Sequence, residues 1–387
     1  MKKILIIAFS DLENDPRVYR QIMYLKDAYD VTTVGWNSAN IEGVRFFPIA
    51  HIKRSRLGRM WRAMAYKFHR YENLYWSIYD FKPLVDELPN ERFDLIIAND
   101  VDTLPFAFRI AGGAKVLLDT HEYAPGHFED RWVWRFFFQG FNRYLCETYM
   151  PRCDRMITVS SGVADEYKKN YGFELGVITN AEDYVKLDPT PVDSRNIRII
   201  THGVSNPNRK LELMIRVMDY LDERFQLDLM LLPTYPRYYK KLQRMARKRS
   251  NVRIIPPVSR KEIIPFTNRY DLSFIMFKPT TVNLRCGLFN KFFESIQARL
   301  GIISGPFPEA HVELVNRYMC GIVLNTYEPR EIARELNRLT ADWIMEFKIK
   351  ANIAACELTA EKNMALLKEM VDGMINGEGN HGVHLPG

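Results

Sequence analysis

The sequence predicts an α/β chain of two doubly wound, Rossmann-like domains in tandem. Three observations carry that expectation. Short apolar runs alternate with helix-period segments, the pattern of parallel sheets covered by helices on both faces. The alternation stops once, at the polar, proline-bearing stretch 183–196 (DYVKLDPTPVDSRN), and then restarts. The 387 residues, 47% of them apolar, exceed one ordinary core; two cores of about 190 residues each are usual.

In the first half, strands are expected over 2–9, 30–36, 44–49, 93–98, 115–118, 156–159 and 176–179. Pro16 opens a helix to about residue 26, with Val18, Ile22 and Leu25 on its inner face. The stretch 57–88 reads as helical and mixes basic residues with Trp61, Met64, Phe68, Leu74, Tyr75, Trp76 and Ile78. The strand over 93–98 ends in Asn99 and Asp100, and that over 115–118 ends in Asp119-Thr120-His121-Glu122. A long aromatic helix is expected over 131–150 and another from Ser161. In the second half, strands are expected over 197–201, 227–232, 252–255, 272–277, 301–304 and 321–324. Helices lie between them, from residues 209, 238, 260, 289, 308 and 329, and two more span 341–358 and 360–375. The resulting division is 1–185, 186–358, a helix 359–376 packing back on the N-terminal domain, and a glycine-rich disordered tail 377–387.

Composition narrows the class. The sequence has no run of eighteen apolar residues, so no transmembrane helix is expected. MKKILIIAFS has no small-residue cleavage site and reads as a first strand rather than a signal peptide. Five scattered cysteines, none in a C-x-x-C pair, indicate neither a disulfide framework nor a zinc site, which fits a reducing cytoplasm. The net charge of +7 is clustered: 51–71 and 237–249 each hold seven Lys or Arg and no acid. Such runs suggest an anionic partner. Over 57–79 the interleaved aromatics suit an anionic membrane surface, or equally a solvated basic face whose aromatics enter the core. The second cluster reads as a charged outer helix face. No nucleic-acid recognition module is visible.

The stretch 283–305 (NLRCGLFNKFFESIQARLGIISG) is where chemistry concentrates. Phe289, Phe292, Phe293 and Ile296 share one helix face, with Asn290, Lys291 and Glu294 around the first turns. Lys291 is placed to meet a phosphate beside a helix N-terminus, and Glu294 to accept two hydroxyl donors such as a ribose presents. A solvated outer face is the plain alternative for a lone K-x-x-E. Here the helix stands at the C-terminal edge of the second sheet, where ligands bind.

Together FNKFFESIQARLGIIS (289–304), DPRVYRQIMYL (15–25), LLDTHEYAP (117–125), MITVSSGVADEY (156–167) and ITHGVSNPNRKLELMI (200–215) resemble GT-B glycosyltransferases of the family 4-like (group 1) kind, over nearly the whole chain. The resemblance implies a GT-B fold: two Rossmann-like domains facing across a cleft, the first receiving the acceptor and the second holding a nucleotide-activated sugar. It implies transfer from a nucleoside-diphosphate sugar, with UDP or GDP expected, to a glycan or polyprenyl-diphosphate-linked acceptor. It further implies a retaining outcome, no bound metal or separate cofactor, and a role in surface polysaccharide assembly at the inner face of the membrane. Glu294 matches the family's ribose-holding glutamate. Lys291 and Arg209 would face the diphosphate, with Lys210 as the alternative to Arg209. Gly203 is either the glycine that lets backbone approach the ligand or a plain turn glycine. His121 matches the family's cleft histidine, to orient the sugar or accept a proton, with Glu122 sharing that role; capping of a strand end is the alternative. Asn99, Asp100 and Asp102 either touch the acceptor or cap the next helix. Two positions depart from the family pattern: Cys286 stands where a glutamate commonly contacts the sugar, and Val204 where an arginine is frequent. They motivate a non-catalytic GT-B partner subunit as an alternative; a nucleotide-sugar epimerase of the same fold is another.

Overall fold

The computed structural model describes residues 1–52, 56–88 and 91–377. They form two compact units. The first comprises Met1–Thr179, Thr281–Asn283 and the described residues from Asn363; the second comprises Asn180–Thr280 and Leu284–Lys362. The division falls at Thr179/Asn180, ahead of the 185/186 boundary read from the linker composition. The stretch 183–196 is irregular but tied down on the second unit. Val185 donates to Gln297 Oε1 at 3.1 Å and accepts from the buried Arg299 guanidinium at 2.7 Å, while Lys348 donates to Thr190 Oγ1 at 2.9 Å.

The first unit is built on a seven-stranded, all-parallel sheet. Its strands are β1 (Lys3–Ala8), β2 (Asp30–Gly35), β3 (Arg45–Pro48), β4 (Leu95–Asn99), β5 (Lys115–Thr120), β6 (Arg155–Thr158) and β7 (Gly176–Val177). The order is β3-β2-β1-β4-β5-β6-β7, so the winding reverses between β1 and β4. Ile4, Ile6, Leu95, Ile97 and Leu117 form one buried face of that sheet. Met364, Leu367, Met370, Val371 and Met374 from helix Ala360–Asn376 close over it.

The second unit has six parallel strands: β8 (Ile197–Val204), β9 (Phe225–Leu232), β10 (Val252–Ile255), β11 (Leu272–Ile275), β12 (Gly301–Ser304) and β13 (Gly321–Val323). The order β10-β9-β8-β11-β12-β13 reverses between β8 and β11. In each unit, ligands of doubly wound sheets are expected beyond the C-terminal strand ends at such a reversal.

Three helix expectations differ from the structure. The stretch 57–88 is three helices, Arg56–Lys67, Tyr71–Tyr75 and Lys82–Glu87. His69 at φ +53 ends the first, and Pro83 opens the third, where a missing N–H costs nothing. The aromatic stretch 131–150 is two helices, Trp132–Phe137 and Gln139–Tyr149, meeting at Phe138. Arg209 does not start a helix. It ends a 3-10 turn, Pro207–Arg209, and Lys210 at φ +49 separates that turn from helix Glu212–Val217. The side chains of Lys53, Arg54, Arg56 and Arg59, and the tail beyond 377, lie outside the described residues.

Candidate functional site

In the second unit, β8 ends in His202, Gly203 and Val204 beside the sheet reversal. Helix Asn290–Gln297 follows β11 and starts from Phe289, whose N–H is donated to His311 Nε2 at 3.2 Å. Phe292, Phe293 and Ile296 are fully buried on its inner face. That packing fixes Asn290, Lys291 and Glu294 on the first turns, as the spacing predicts.

Gly203 adopts φ +115, a conformation nearly reserved to glycine. A Cβ there would lie 3.2 Å from Arg209 Nη1 and 4.0 Å from Lys291 Nζ. Both cations also flank one ring: the Arg209 guanidinium carbon and Lys291 Nζ are 5.8 and 5.4 Å from the Phe277 centroid. Gly203, Arg209, Phe277 and Lys291 therefore form one cluster. Lys210, the alternative read from the sequence, is exposed.

The cluster is electrostatically incomplete. Burial, then the neighbouring Arg209 charge, pushes the Lys291 ammonium well below the ordinary lysine range, with Glu294 opposing. Burial lowers Arg209 as well. Among the described residues, neither side chain has a salt bridge or a side-chain hydrogen bond. Glu294, the nearby carboxylate, is committed elsewhere: its Oε2 lies 2.7 Å from His202 Nε2. Burial raises its carboxyl, but that bond and the His202, Lys291 and Arg260 charges outweigh it and hold it below the usual range. A carboxylate only accepts, so Nε2 of His202 carries the hydrogen. His202 Nδ1 has no partner among the described residues. His311 stacks on Phe292 at 4.9 Å, and burial together with Lys291 pushes its ring down to about 3, so it stays neutral at pH 7. Cys286, at the family's glutamate position, is 3% exposed at the end of helix Val282–Cys286.

In the first unit, His121 follows β5 and is locked from several sides. Its N–H donates to Asp100 Oδ1 at 2.8 Å. Its Nε2 lies 3.2 Å from Asn99 Oδ1, and its Nδ1 3.5 Å from Asp100 Oδ2. The Asn99 amide donates to Gln21 Oε1 at 3.0 Å, so its oxygen accepts from Nε2–H and Nδ1 is left facing a carboxylate. Burial opposes charging the ring, but Asp100, Asp119 and Asp15 outweigh it and raise His121 above its ordinary value of 6.5. Behind it, Asp119 receives Arg17 through two bonds of 2.7 Å and Gln21 at 2.5 Å. Asp100 holds φ +66 and ψ 155, a strained conformation for a residue with a side chain. Asp102 is raised to about 7 by burial and by Asp100.

Glu122 is also raised, first by burial and then by Asp100, against His127 and His121. It is held by Asn283 Nδ2 at 3.2 Å and His127 Nε2 at 3.2 Å. Asn283 is itself fixed, accepting the Tyr123 N–H at 2.8 Å. The site residues expected from the sequence thus fall into two groups, His121 and Glu122 in the first unit and Gly203, Arg209, Asn290, Lys291 and Glu294 in the second. Sequence reasoning missed His202, Phe277, Asn283 and the Arg17–Asp119–Gln21 support. Only the position of His202 at the end of a buried strand, next to the glycine, signalled it. Among the described residues no group of three or more His, Cys, Asp or Glu has the arrangement to hold a metal ion.

The family model for Glycosyltransferase Family 4 matches residues 40–183. A sequence search of curated proteins finds no match. Solved structures agree over nearly the full length. A glycosyltransferase from Rickettsia africae superposes with a TM-score of 0.69 at 12% identity, covering 97% of this chain and 99% of its own. Anabaena HepE in complex with UDP and glucose gives 0.69 at 15% identity, covering 96% and 100%. Sucrose-phosphate synthase from Thermosynechococcus elongatus gives 0.69 at 12% identity, covering 98% and 100%. Two parallel, doubly wound sheets and that full-length likeness give the chain the GT-B fold, and its residues 40–183 match the Glycosyltransferase Family 4 model.

Proposed function

We propose that this protein transfers a sugar from a nucleoside-diphosphate sugar to a hydroxyl of a glycan or a polyprenyl-diphosphate-linked acceptor. The observation that carries the reading is the pair Arg209 and Lys291, two desolvated cations meeting at Gly203 with no salt bridge among the described residues. A diphosphate supplies what they lack, and Gly203 leaves room for it against the backbone. Glu294, held by His202, receives the ribose hydroxyls, and Asn290 stands beside Lys291 on the first turn of the same helix. UDP or GDP is the expected nucleotide; the UDP bound by Anabaena HepE supports the first.

The reaction breaks the bond between the sugar C1 and the β-phosphate oxygen, and the nucleoside diphosphate leaves with the electron pair. Arg209 and Lys291 stabilise that developing charge, the role a metal ion takes in other sugar transferases. An acceptor hydroxyl oxygen forms the new bond to C1, with retention, and gives up its proton. His121 orients the sugar or takes that proton, and Glu122 assists. A hexosyl donor, a place in surface polysaccharide assembly and a cytoplasmic location at the inner membrane face complete the reading. Purified protein incubated with UDP- and GDP-sugars tests it: donor hydrolysis or transfer is expected. Absence of any hydrolysis or transfer would leave a non-catalytic role, and unchanged turnover in Glu294→Ala and His121→Ala variants would place the chemistry at other residues.

A further inference from the structure

The first unit exposes an apolar surface that its core does not use. In helix Arg56–Lys67, Tyr66 turns inward, its ring 4.8 Å from Phe138 and 5.9 Å from Phe141. The outward stripe holds Trp61, Met64 and Phe68, which are 43%, 50% and 60% exposed at helical spacing. Helix Trp132–Phe137, brought alongside by the Tyr66–Phe138 contact, buries none of its residues. Trp132 and Phe136, one turn apart, are 70% and 65% exposed, with Val133 between them at 44%. Five apolar side chains on two short neighbouring helices, with Phe68 just past the end of the first, exceed the single exposed residues that a soluble surface scatters.

Charge identifies the occupant. The stripe is edged by Lys67, Arg70, Arg131 and Arg135, all exposed, and no Asp or Glu occurs over 51–71 or 131–146. Aromatic rings flanked by cations suit the headgroup level of a bilayer, rings at the acyl boundary and cations near lipid phosphates. Neither helix is long or apolar enough to cross a membrane.

We propose that this face docks the first unit on an anionic lipid bilayer, with Trp132 and Phe136 as its main apolar anchors. The inference deepens the reading of a lipid-linked acceptor and rests on it for the reason such a protein would sit at a membrane; the surface itself stands on exposure and charge.

The test is co-sedimentation of the full-length protein with vesicles of phosphatidylcholine alone and with added phosphatidylglycerol. Binding is expected only to the anionic vesicles, weakening several-fold, on the order of threefold or more, when salt rises from about 0.1 to 0.5 M. A Trp132→Ser/Phe136→Ser variant is expected to bind about tenfold less tightly, with unchanged thermal midpoint and unchanged nucleotide binding. Equal binding by that variant, or no binding to anionic vesicles, would overturn the proposal. So would a loss of dimer in the variant by size-exclusion chromatography, which would make the face a contact between protein copies. Vesicle binding without any sugar transfer would count against the catalytic reading and not against this surface.

Discussion

His202 Nε2 and Glu294 Oε2 are 2.7 Å apart, and the bond joins the end of β8 to the helix that follows β11. It fixes a carboxylate that a free glutamate rotamer would leave mobile. Replacing His202 by Phe keeps the ring volume and removes the bond. Nucleoside-diphosphate affinity is expected to fall about tenfold, roughly 1.4 kcal/mol, by calorimetry. The wild type should also discriminate against a 2′,3′-dideoxynucleotide, and Glu294→Ala should not. Equal discrimination by the two would remove Glu294 from the ribose.

Lys291 separates stability from binding. It is 7% exposed and lacks a counter-ion among the described residues, so its charge costs folding energy. Lys291→Met should leave the apparent thermal midpoint equal or higher. The same change should weaken diphosphate binding by about 1.5–3 kcal/mol, roughly 10- to 150-fold. A midpoint falling together with unchanged affinity would make Lys291 a structural residue.

Binding should depend on pH through the same amine. Burial lowers Lys291 in the free protein, and a bound diphosphate would restore its proton, so the complex holds more protons than the free protein. Affinity then declines as pH rises through the lowered range of this amine, before ordinary lysines titrate. Calorimetry in buffers of different ionisation enthalpy should register proton uptake. Release of protons on binding, or a flat profile matching Lys291→Met, would contradict the assignment.

Asp100 controls His121. Its carboxylate faces Nδ1 at 3.5 Å and is the first of the charges that lift the ring above 6.5. If neutral His121 serves transfer, the acid limb of the rate profile lies above 6.5 and activity falls as pH drops through it. Asp100→Asn tolerates the positive φ and keeps an acceptor for the His121 N–H. The limb should move to lower pH in that variant; an unmoved limb would belong to another group.

The support under His121 should show in stability. Arg17 and Asp119 are 5% and 0% exposed, and Arg17→Met would strand a buried carboxylate. A loss of about 3–5 kcal/mol is expected in denaturant unfolding. A loss within about 0.5 kcal/mol, the scale of a neutral surface change, would show that Asp119 finds water or another donor.

The central strands were legible because buried parallel strands write continuous apolar runs such as KILIIA and GIIS, while β2 (DVTTVG) and the half-exposed β3 (RFFP) carry a weaker pattern. Helix breaks were less legible. Nothing in the composition near His69 announces a positive φ, and Phe138 lies inside an unbroken aromatic pattern. Glu294 and Lys291 were readable since one helical turn places both. Arg209 was readable as a cation but not as the end of a 3-10 turn, because Asn206 caps that turn through its side chain over two residues. His202 and Phe277 were missed for a different reason. They meet Glu294 and Lys291 through packing between β8, the residues after β11 and the helix, across sequence separations that no local pattern encodes.

The most direct measurement is calorimetric titration of UDP and GDP into the wild type, Arg209→Met and Lys291→Met. The account predicts wild-type binding to one nucleotide, weakened at least about tenfold by either substitution without loss of folding. Wild-type binding that both substitutions leave unchanged would contradict it.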